Sequence, residues 1–450
     1  MSKYQAYPEY KDSNISGLGL IPKSWEIMQL KRTVDGCVNG IWGSEPRSAG
    51  DDTIVLRVAD FDRPRLSIKE TGYTFRYIDE KEKASRKLKR GDLLLEKSGG
   101  GEKTLVGQVV LFEKDFEAVT SNFVAKMTPL DGFNSKFLNY VFSRFYSDRI
   151  NFCSIKQNTG IQNLDSAAYL AEKFGFPQEN EQAQIAAFLD HETAKIDTLI
   201  DKQQQLIQLL KEKRQAVISH AVTKGLNPNA PVRDSGVEWL GEVPEHWKVG
   251  RYKFCTSRVV VGIAEAATHA YAETGVPIIR STNIREEGLD LSGMLFIKKG
   301  FAELNSSKYL YTNDVITVRT GYPGTSAVIP ETLDKSQCFT NLVATPKEEM
   351  SPHFLSEYLN SHTGKSYFDL LGWGSAQKNI SVPILQNISI AWPEISEQKE
   401  IVSYIQQQRE KYTKLVTKGE KQIELLQERR TALISAAVTG KIDVRNWSPA

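Results

Sequence analysis

The sequence predicts a mixed α/β protein made of two similar halves, each ending in a long helix. Two observations predict this class. The segment 177–223 matches 393–439 without a gap at 18 of 47 positions. In addition, DSNISGLGLIPKSW (12–25) matches DSGVEWLGEVPEHW (234–247) in its Asp-Ser, Leu-Gly and Pro-to-Trp letters. Because the matches lie on both sides of each globular region, we expect a half-protein that is used twice.

The composition is that of a folded, multidomain chain. Its 450 residues are 40% hydrophobic and 10% aromatic, which is enough for packed cores. The formal net charge of +2 means that an anionic partner has to be bound by local patches. The four cysteines lie far apart without CxxC spacing, which argues against a zinc site and a disulfide scaffold. Without a signal peptide or an apolar run of about 18 residues, the sequence predicts a cytoplasmic protein.

The two repeated segments are predicted to be long helices that pack against each other. Each begins with Pro and an acidic, polar first turn, as suits a helix N-terminus. About 44 helical residues at 1.5 Å each would make a rod on the order of 65 Å long. Apolar residues recur at heptad spacing, which indicates a coiled-coil seam. The predicted interface residues are Ile185, Leu189, Ile196, Leu199, Leu206, Leu210, Val217, Ile401, Ile405, Tyr412, Leu415, Leu426 and Leu433.

The remaining segments are predicted to form the globular domains. Short apolar runs predict strands at 53–58, 92–96, 105–112, 119–127, 276–280, 314–319, 325–329 and 339–345. A helix is predicted at 135–150, and another with Ser351 as N-cap and Pro352 at its first position. We therefore expect a first domain at 1–176, a long helix at 177–223, a linker and second domain at 224–392, and a long helix with a tail at 393–450.

Glycine-rich segments flanked by cations occur at matching places in both halves, at 96–104 and 318–325, and a Gln/Asn-rich loop precedes each long helix. Glycine allows the backbone to approach a ligand closely, so these segments suit contact with DNA, although a plain strand-to-strand turn fits equally. The basic run 81–90 suits a phosphate backbone or a solvated surface helix. The candidate DNA-binding residues are Arg57, Lys87, Lys89, Arg90, Lys97, Ser98, Lys103, Gln157, Arg280, Asn283, Arg319, Tyr322 and Lys378.

Motifs for nucleotide binding and base methylation are incomplete in this sequence. The segments near Lys103 and Lys365 resemble a phosphate-binding loop but lack required glycines. Asn227-Pro228 has neither a second Pro nor an aromatic residue that could stack on a flipped base. We therefore predict no catalytic residue and no metal ligand. A self-sufficient DNA-modifying enzyme and a coiled-coil scaffold that binds only proteins stay open as alternatives.

Several segments resemble the specificity subunit of type I restriction-modification enzymes. They are the openings Ile21-Pro22-Lys23-Ser24-Trp25 and Val243-Pro244-Glu245-His246-Trp247, the Gly-Asp-Leu-Leu-Leu and Lys-Ser-Gly-Gly-Gly text at 91–101, the Gln-Lys-Asn-Ile-Ser loop at 377–381, and the Glu-Gln-Xaa-Xaa-Ile helix starts at 181 and 397. The first half departs from the loop pattern, since it has Gln162-Asn163-Leu164-Asp165.

The resemblance implies two target recognition domains joined by two long antiparallel helices, with pseudo-twofold symmetry. It also implies a non-catalytic chain that binds an asymmetric, bipartite site on double-stranded DNA. The implied partners are two modification subunits and the restriction subunits. S-adenosylmethionine, ATP and Mg would then be held by these partners, and this chain would hold no cofactor.

Overall fold

The computed structural model describes residues 4–47, 52–100, 104–158, 160–264, 268–372 and 378–449. The chain divides into two compact units. Unit 1 comprises Met1–Gln204 and Lys421–Ala450, and unit 2 comprises Gln205–Glu420. Each unit therefore combines one globular domain with part of each long helix.

The domain of unit 1 is built from short strands and three short helices, and the first long helix follows it. The strands are β1 (Tyr10–Asp12), β2 (Leu20–Pro22), β3 (Glu26–Gln29), β4 (Val38–Asn39), β5 (Thr53–Leu56), β6 (Phe61–Asp62), β7 (Ser67–Ile68), β8 (Thr74–Arg76), β9 (Leu93–Glu96), β10 (Ser98–Gly99), β11 (Val109–Leu111), β12 (Ala118–Thr120), β13 (Val124–Met127), β14 (Ile155–Asn158), β15 (Ile161–Leu164) and β16 (Lys173–Phe176). The helices are α1 (Glu80–Ala84), α2 (Ser135–Ser147), α3 (Ser166–Leu170) and the long α4 (Glu179–Lys224).

The domain of unit 2 has the same kind of composition and precedes the second long helix. Its strands are β17 (Val232–Asp234), β18 (Glu242–Pro244), β19 (Lys248–Arg251), β20 (Thr256–Val261), β21 (Tyr271–Ala272), β22 (Val276–Ile279), β23 (Ile284–Arg285), β24 (Gly288–Leu289), β25 (Leu295–Ile297), β26 (Val315–Thr317), β27 (Ser326–Val328), β28 (Gln337–Cys338), β29 (Leu342–Pro346) and β30 (Ser389–Trp392). Its helices are α5 (Lys299–Leu304), α6 (Pro352–Asn360), α7 (His362–Leu371), α8 (Val382–Asn387) and the long α9 (Ile395–Val438).

The two domains repeat one sheet topology. The order β11-β9-β13-β4 in unit 1 corresponds to β27-β26-β29-β20 in unit 2, with antiparallel neighbours in both. A second sheet in each domain contains one parallel pair, β5 with β12 and β22 with β28. The sheet of β10, β15 and β14 belongs to unit 1, where unit 2 has an isolated bridge between Thr320 and Asn379. The duplication seen in the sequence is therefore a duplication of fold.

Each half has one buried aspartate at the same place in its sheet, directly before the central strand. It is Asp92, after Gly91, in unit 1 and Asp314, after Asn313, in unit 2. Asp92 accepts a hydrogen bond from Thr128 Oγ1 at 2.6 Å and one from the Lys89 N–H. Asp314 accepts from Thr345 Oγ1 at 2.6 Å and from the Tyr311 N–H. Each carboxylate thus closes the turn before the central strand and ties it to the neighbouring strand.

Most of the predicted elements occur in the structure, with shorter bounds. The single strand predicted at 119–127 is wrong, because a turn at 121–123 separates β12 from β13 and places them in different sheets. The helix predicted at 135–150 ends at Ser147, where Asp148 caps it. The helix α6 begins at Pro352 with the Ser351 side chain accepting from the Phe354 N–H, as predicted.

Within unit 1 the two long helices run antiparallel. The Gln184 amide donates to the carbonyl of Trp447, nine residues after the end of α9, and Arg430 Nε of α9 donates to Asp197 Oδ1 of α4 at 2.9 Å. Moving forward along α4 from 184 to 197 therefore moves backward along the partner segment. Apolar residues from both helix ends join the core of the unit 1 domain, and those of unit 2 do the same in its own core.

The predicted heptad seam is only partly buried. Ile185, Leu189, Ile196, Ile401, Ile405 and Tyr412 are buried, and Leu210, Val217, Leu426 and Leu433 are half-buried. The prediction of a buried interface position is wrong for three residues, whose side chains are exposed: Leu199 (50%), Leu206 (47%) and Leu415 (41%). A helix with 3.6 residues per turn drifts from a strict heptad by about 20° per repeat. The domain cores also bury other faces near the helix ends, including Ala186, Phe188, Ile218 and Ala221.

Candidate nucleic-acid interface

In unit 1 the glycine-rich segment lies beside the Gln/Asn-rich hairpin. Ser98 and Gly99 pair with Asn163 and Gln162 in an antiparallel register. The Ser98 hydroxyl donates to Asn163 Oδ1 at 2.6 Å, and the Leu164 N–H donates to the Lys97 carbonyl at 2.7 Å. We call residues 97–99 with 155–158 and 160–164 the unit 1 loop pair. It brings the predicted residues Lys97, Ser98 and the exposed Gln157 onto one small sheet.

A close backbone approach explains Gly100, which directly follows residues 97–99 of this loop pair. Gly100 has φ +65°, and a Cβ there would lie 2.8 Å from both Gln162 Oε1 and the Thr104 carbonyl. Gln162 Oε1 in turn accepts from the Val106 N–H at 3.1 Å. Any larger residue at 100 would have to displace these groups, so glycine is required for the loop to close.

Cations gather around Asn39, next to the unit 1 loop pair. Lys97 Nζ donates to Asn39 Oδ1 at 2.7 Å, and Arg86 Nε donates to the Asn39 carbonyl at 3.2 Å. Lys126 Nζ binds the carbonyls of Ser85 and Lys87 close by. The sequence alone does not group Arg86 with Lys126, because only the pairing of β4 with β13 brings these two side chains close together. The positive charge of this cluster would attract the negatively charged phosphate backbone of a nucleic acid.

The rest of the basic run is partly neutralised by acids. Lys87 forms an ion pair with Glu117, and Arg90 pairs with Asp115 at 3.0 Å. Hydrogen bonds from Lys87 and Lys83 lower the pKa of Glu117. Lys87, Lys89 and Arg90 are exposed, and only the start of the run is helical, in α1. Their contact with DNA stays a prediction.

Unit 2 has an equivalent arrangement. The Ile380 N–H donates to the Arg319 carbonyl at 3.0 Å, which is the counterpart of the bond between Leu164 and Lys97. The Thr320 hydroxyl binds Asn379 Oδ1. We call residues 319–322 with 378–380 the unit 2 loop pair. Its exposed Lys378 forms an ion pair with Asp369 at 2.9 Å.

Tyr322, in the unit 2 loop pair, is the most exposed aromatic side chain among the residues that the structure describes, at 87%. It lies in the turn between β26 and β27, where Gly321 and Gly324 have φ values of +96° and +92°. A Cβ at Gly324 would overlap the Phe368 ring, so this turn packs directly on α7. The ring of Tyr322 is thus presented to solvent from a firmly held turn.

Arg57 and Arg280 have matching internal roles. The guanidinium of Arg57 forms an ion pair with Asp60 at 3.0 Å. The corresponding Arg280 donates through Nη2 to the Gly293 carbonyl at 3.1 Å. Both residues precede a short 3-10 turn whose third residue accepts the arginine N–H through its side chain. These bonds organise a loop, and contact of either arginine with DNA stays a prediction.

The prediction that Asn283 contacts DNA is wrong for the folded turn in which this residue lies. Its side chain is 2% exposed, Oδ1 accepts from the Arg280 N–H, and Nδ2 donates to the Asp290 carbonyl at 2.9 Å. A buried amide that is already hydrogen-bonded at both ends cannot reach a base edge without unfolding its turn. Lys103 lies outside the described residues, as does Gln377 at the start of the second Gln/Asn loop.

Two buried glutamates, Glu96 and Glu357, are paired with arginines. Glu96 binds Arg63 at 2.8 Å, and burial raises the pKa of Glu96 despite this partner. Glu357 binds Arg409 through both oxygens, at 2.8 and 2.9 Å. In the described part of the chain, no three His, Cys, Asp or Glu side chains are grouped so that they could hold a metal ion. No helix among the described residues has the length and apolarity needed to cross a membrane.

The family model of the type I restriction modification DNA specificity domain matches residues 64–209 and again 264–425. These two matches cover more than half of the chain and correspond to the two repeats of the fold. The chain belongs to this specificity family. As a type I specificity subunit it carries two DNA-recognition domains, and the loop pairs lie one in each.

Known specificity subunits are similar over nearly the whole chain. The putative MjaX specificity subunit of Methanocaldococcus jannaschii is 22% identical, covering 97% of this chain and 98% of the relative. The EcoKI specificity subunit of Escherichia coli K12 is also 22% identical, covering 86% of this chain and 83% of the relative.

Solved structures share the fold at low sequence identity. A chain from a study of complex assembly and conformational transition in a type I R-M system has a TM-score of 0.68 at 13% identity, covering 93% of this specificity subunit and 98% of that chain. The HsdS subunit from Thermoanaerobacter tengcongensis has a TM-score of 0.51 at 14% identity, covering 94% and 98%. The fold class predicted from the sequence, two α/β domains with two long helices, is confirmed.

Proposed function

We propose that this specificity subunit binds a bipartite, asymmetric site on double-stranded DNA, with one half-site read by each recognition domain. The observation that supports this is the pair of equivalent backbone hydrogen bonds, Leu164 to Lys97 and Ile380 to Arg319. One backbone frame is used twice, but it presents different side chains. Two different readers on a duplicated frame select two different half-sites.

The side chains suit the two kinds of contact that DNA recognition needs. Lys97 with its neighbour Arg86 would neutralise phosphates, which supplies affinity without sequence preference. Ser98, Gln157 and Arg319 carry hydrogen-bonding groups that can read base edges from a rigid element. The exposed ring of Tyr322 would stack on or pack against a base.

Methylome sequencing of a host that carries this subunit with its partner subunits tests the proposal. We expect a methylated motif made of two unlike half-sites separated by a gap of unspecified bases. The half-sites differ because the two loop pairs differ in sequence. A palindromic motif, or a continuous one, would overturn the proposal.

The chemistry is proposed to reside in the partners. Two modification subunits would bring S-adenosylmethionine, and restriction subunits would bring ATP and Mg, while this chain directs them to the site. The purified chain should therefore transfer no labelled methyl group to DNA that contains the motif, and adding modification subunits should start the transfer. Methylation by the chain alone would support a self-sufficient enzyme instead, and absence of sequence-selective DNA binding by the complex would support a scaffold.

A further inference from the structure

A buried glutamine joins the unit 1 domain to the start of the long helix α4. Gln182 is 1% exposed, and its Oε1 accepts a hydrogen bond from the Asn134 N–H at 3.0 Å. Its Nε2 donates to the Pro177 carbonyl at 2.9 Å and to the Gly132 carbonyl at 3.3 Å. Asn134 is the N-cap of α2. One side chain therefore binds the first turn of the long helix to the first turn of a domain helix.

The same junction occurs in unit 2. Gln398 is fully buried, and its Oε1 accepts from the N–H of Ser351, the N-cap of α6, at 2.8 Å. Its Nε2 donates to the Pro393 carbonyl at 2.9 Å and to the Glu349 carbonyl at 3.3 Å. The three bonds correspond one by one to those of Gln182. A duplicated set of bonds with this burial indicates a defined junction between helix and domain in both units.

The domain helix at each junction packs on the sheet that carries the loop pair. Phe137 and Leu138 of α2 share a core with Leu93 and Leu95 of β9, and β9 leads directly to Lys97. Phe354 of α6 likewise shares a core with Val315 of β26, the strand that leads to Arg319. The orientation of a loop pair against its long helix is thus set through a rigid chain of contacts that begins at the glutamine.

We infer that Gln182 and Gln398 are positioning residues that fix the gap length between the two half-sites. This inference rests on the proposed bipartite function. Each glutamine acts on the angle between a recognition domain and the long helices of its own unit, and touches no base. Weakening one junction lets that domain tilt, so that half-sites at a wrong spacing are bound with less penalty. The base preference of each half-site stays the same because the loop pairs are unaltered.

The variant Gln398→Met tests the inference with little change in packing. Methionine has a similar volume and shape, so no cavity forms, but it leaves the Ser351 N–H and the Pro393 carbonyl without their partner. The matched control is Glu400→Ala, which removes an exposed side chain two residues further along α9. Gln182→Met repeats the test independently in unit 1.

The measurement is methylation by the full complex on a plasmid library. The two half-sites, taken from the wild-type methylome, are separated by the native gap or by gaps up to three base pairs shorter or longer. For each preparation the readout is the ratio of methylation at the native gap to that at gaps changed by one base pair. This ratio is internal to a preparation, so it does not depend on how much protein is folded or assembled.

We expect Gln398→Met and Gln182→Met to lower the ratio about threefold to tenfold, the equivalent of one or two buried hydrogen bonds. The control Glu400→Ala should leave the ratio unchanged. An unaltered ratio in both methionine variants would overturn the inference and leave the bipartite function standing. A wild-type complex without any gap preference would instead overturn the proposed function.

Discussion

Trp25 Nε1 donates a hydrogen bond to Glu181 Oε1 at 2.8 Å, in the first turn of α4. Trp247 makes the equivalent bond to Glu397 Oε1 at 3.1 Å, in the first turn of α9. Both indoles are almost fully buried. The opening segment supplies the Trp and the helix start supplies the Glu, so the two repeated segments are the donor and the acceptor of the same hydrogen bond in each unit. This explains why they recur together.

Replacing Trp247 by Phe should destabilise unit 2. The phenyl ring fills only part of the space of the buried indole and has no N–H, so a small cavity and the lost hydrogen bond together cost about 1–3 kcal/mol. We expect the thermal midpoint of the full chain to fall by about 2–6 °C. The matched variant Trp239→Phe, at an indole that is 45% exposed, should change it little. Equal shifts in the two variants would show that the bond to Glu397 contributes nothing.

Replacing Lys97 by Ala should weaken binding to all DNA sequences alike. If its ammonium contacts a phosphate, the slope of log affinity against log salt becomes less steep by about one unit. Fluorescence anisotropy of the complex at several salt concentrations measures this slope. Lys23→Ala is the control, because Lys23 is an exposed lysine of unit 1 that is paired with Glu9 and does not belong to the unit 1 loop pair. A loss confined to one base position would instead mean that Lys97 reads a base.

Replacing Tyr322 by Ala should reduce affinity for the half-site read by unit 2. A contact that reads a base pair is worth about 1–3 kcal/mol, so we expect a loss of roughly fivefold to a hundredfold. Leu304→Ala is the control, since Leu304 is 88% exposed in the same domain. Thermal stability should be unaffected in both variants. Equal affinities of the two variants for DNA would remove Tyr322 from the interface.

Lengthening both long helices should widen the gap in the recognised site. Four residues inserted after Gln204 in α4 and four after Glu420 in α9 add about 6 Å to each helix. At about 3.4 Å per base pair, the gap should grow by about two base pairs. Methylome sequencing should show the same two half-sites at the new spacing. Altered half-site bases would contradict a pure spacer role for the helices.

The cysteines should react in a definite order. Burial raises the pKa of Cys255 and of Cys338 to about 12, so both thiols stay protonated and enclosed at pH 8. Cys153 is exposed. A maleimide should therefore label Cys153 rapidly in the native protein and the two buried thiols only after unfolding, as mass spectrometry of peptides would show. Rapid native labelling of Cys338 would indicate that its domain opens locally.

The sequence by itself determined the duplication and hence the architecture. Gapless similarity of two long amphipathic segments, and the matching motifs around them, are local properties that can be read without coordinates. The sequence shows the Glu-Gln-Xaa-Xaa-Ile start of both long helices, but it does not show what these residues contact. In the structure, the Glu accepts a hydrogen bond from a Trp indole and the Gln accepts one from the backbone N–H of a domain helix N-cap. Ile185 and Ile401 pack in the cores of their units.

Tertiary structure alone decided which side chains are available for recognition. Asn283 has a residue type that suits base reading, but its turn uses both ends of the amide internally. Leu199, Leu206 and Leu415 fit a heptad and are exposed, because burial depends on where the domains cover the helices. Arg86 and Lys97 meet at Asn39, whose strand β4 pairs with β13 at Ala125, 86 positions further along the chain. The spacing of residues along the chain determines which face of a helix they occupy. Contacts between strands that are distant in sequence determine which side chains meet in a site.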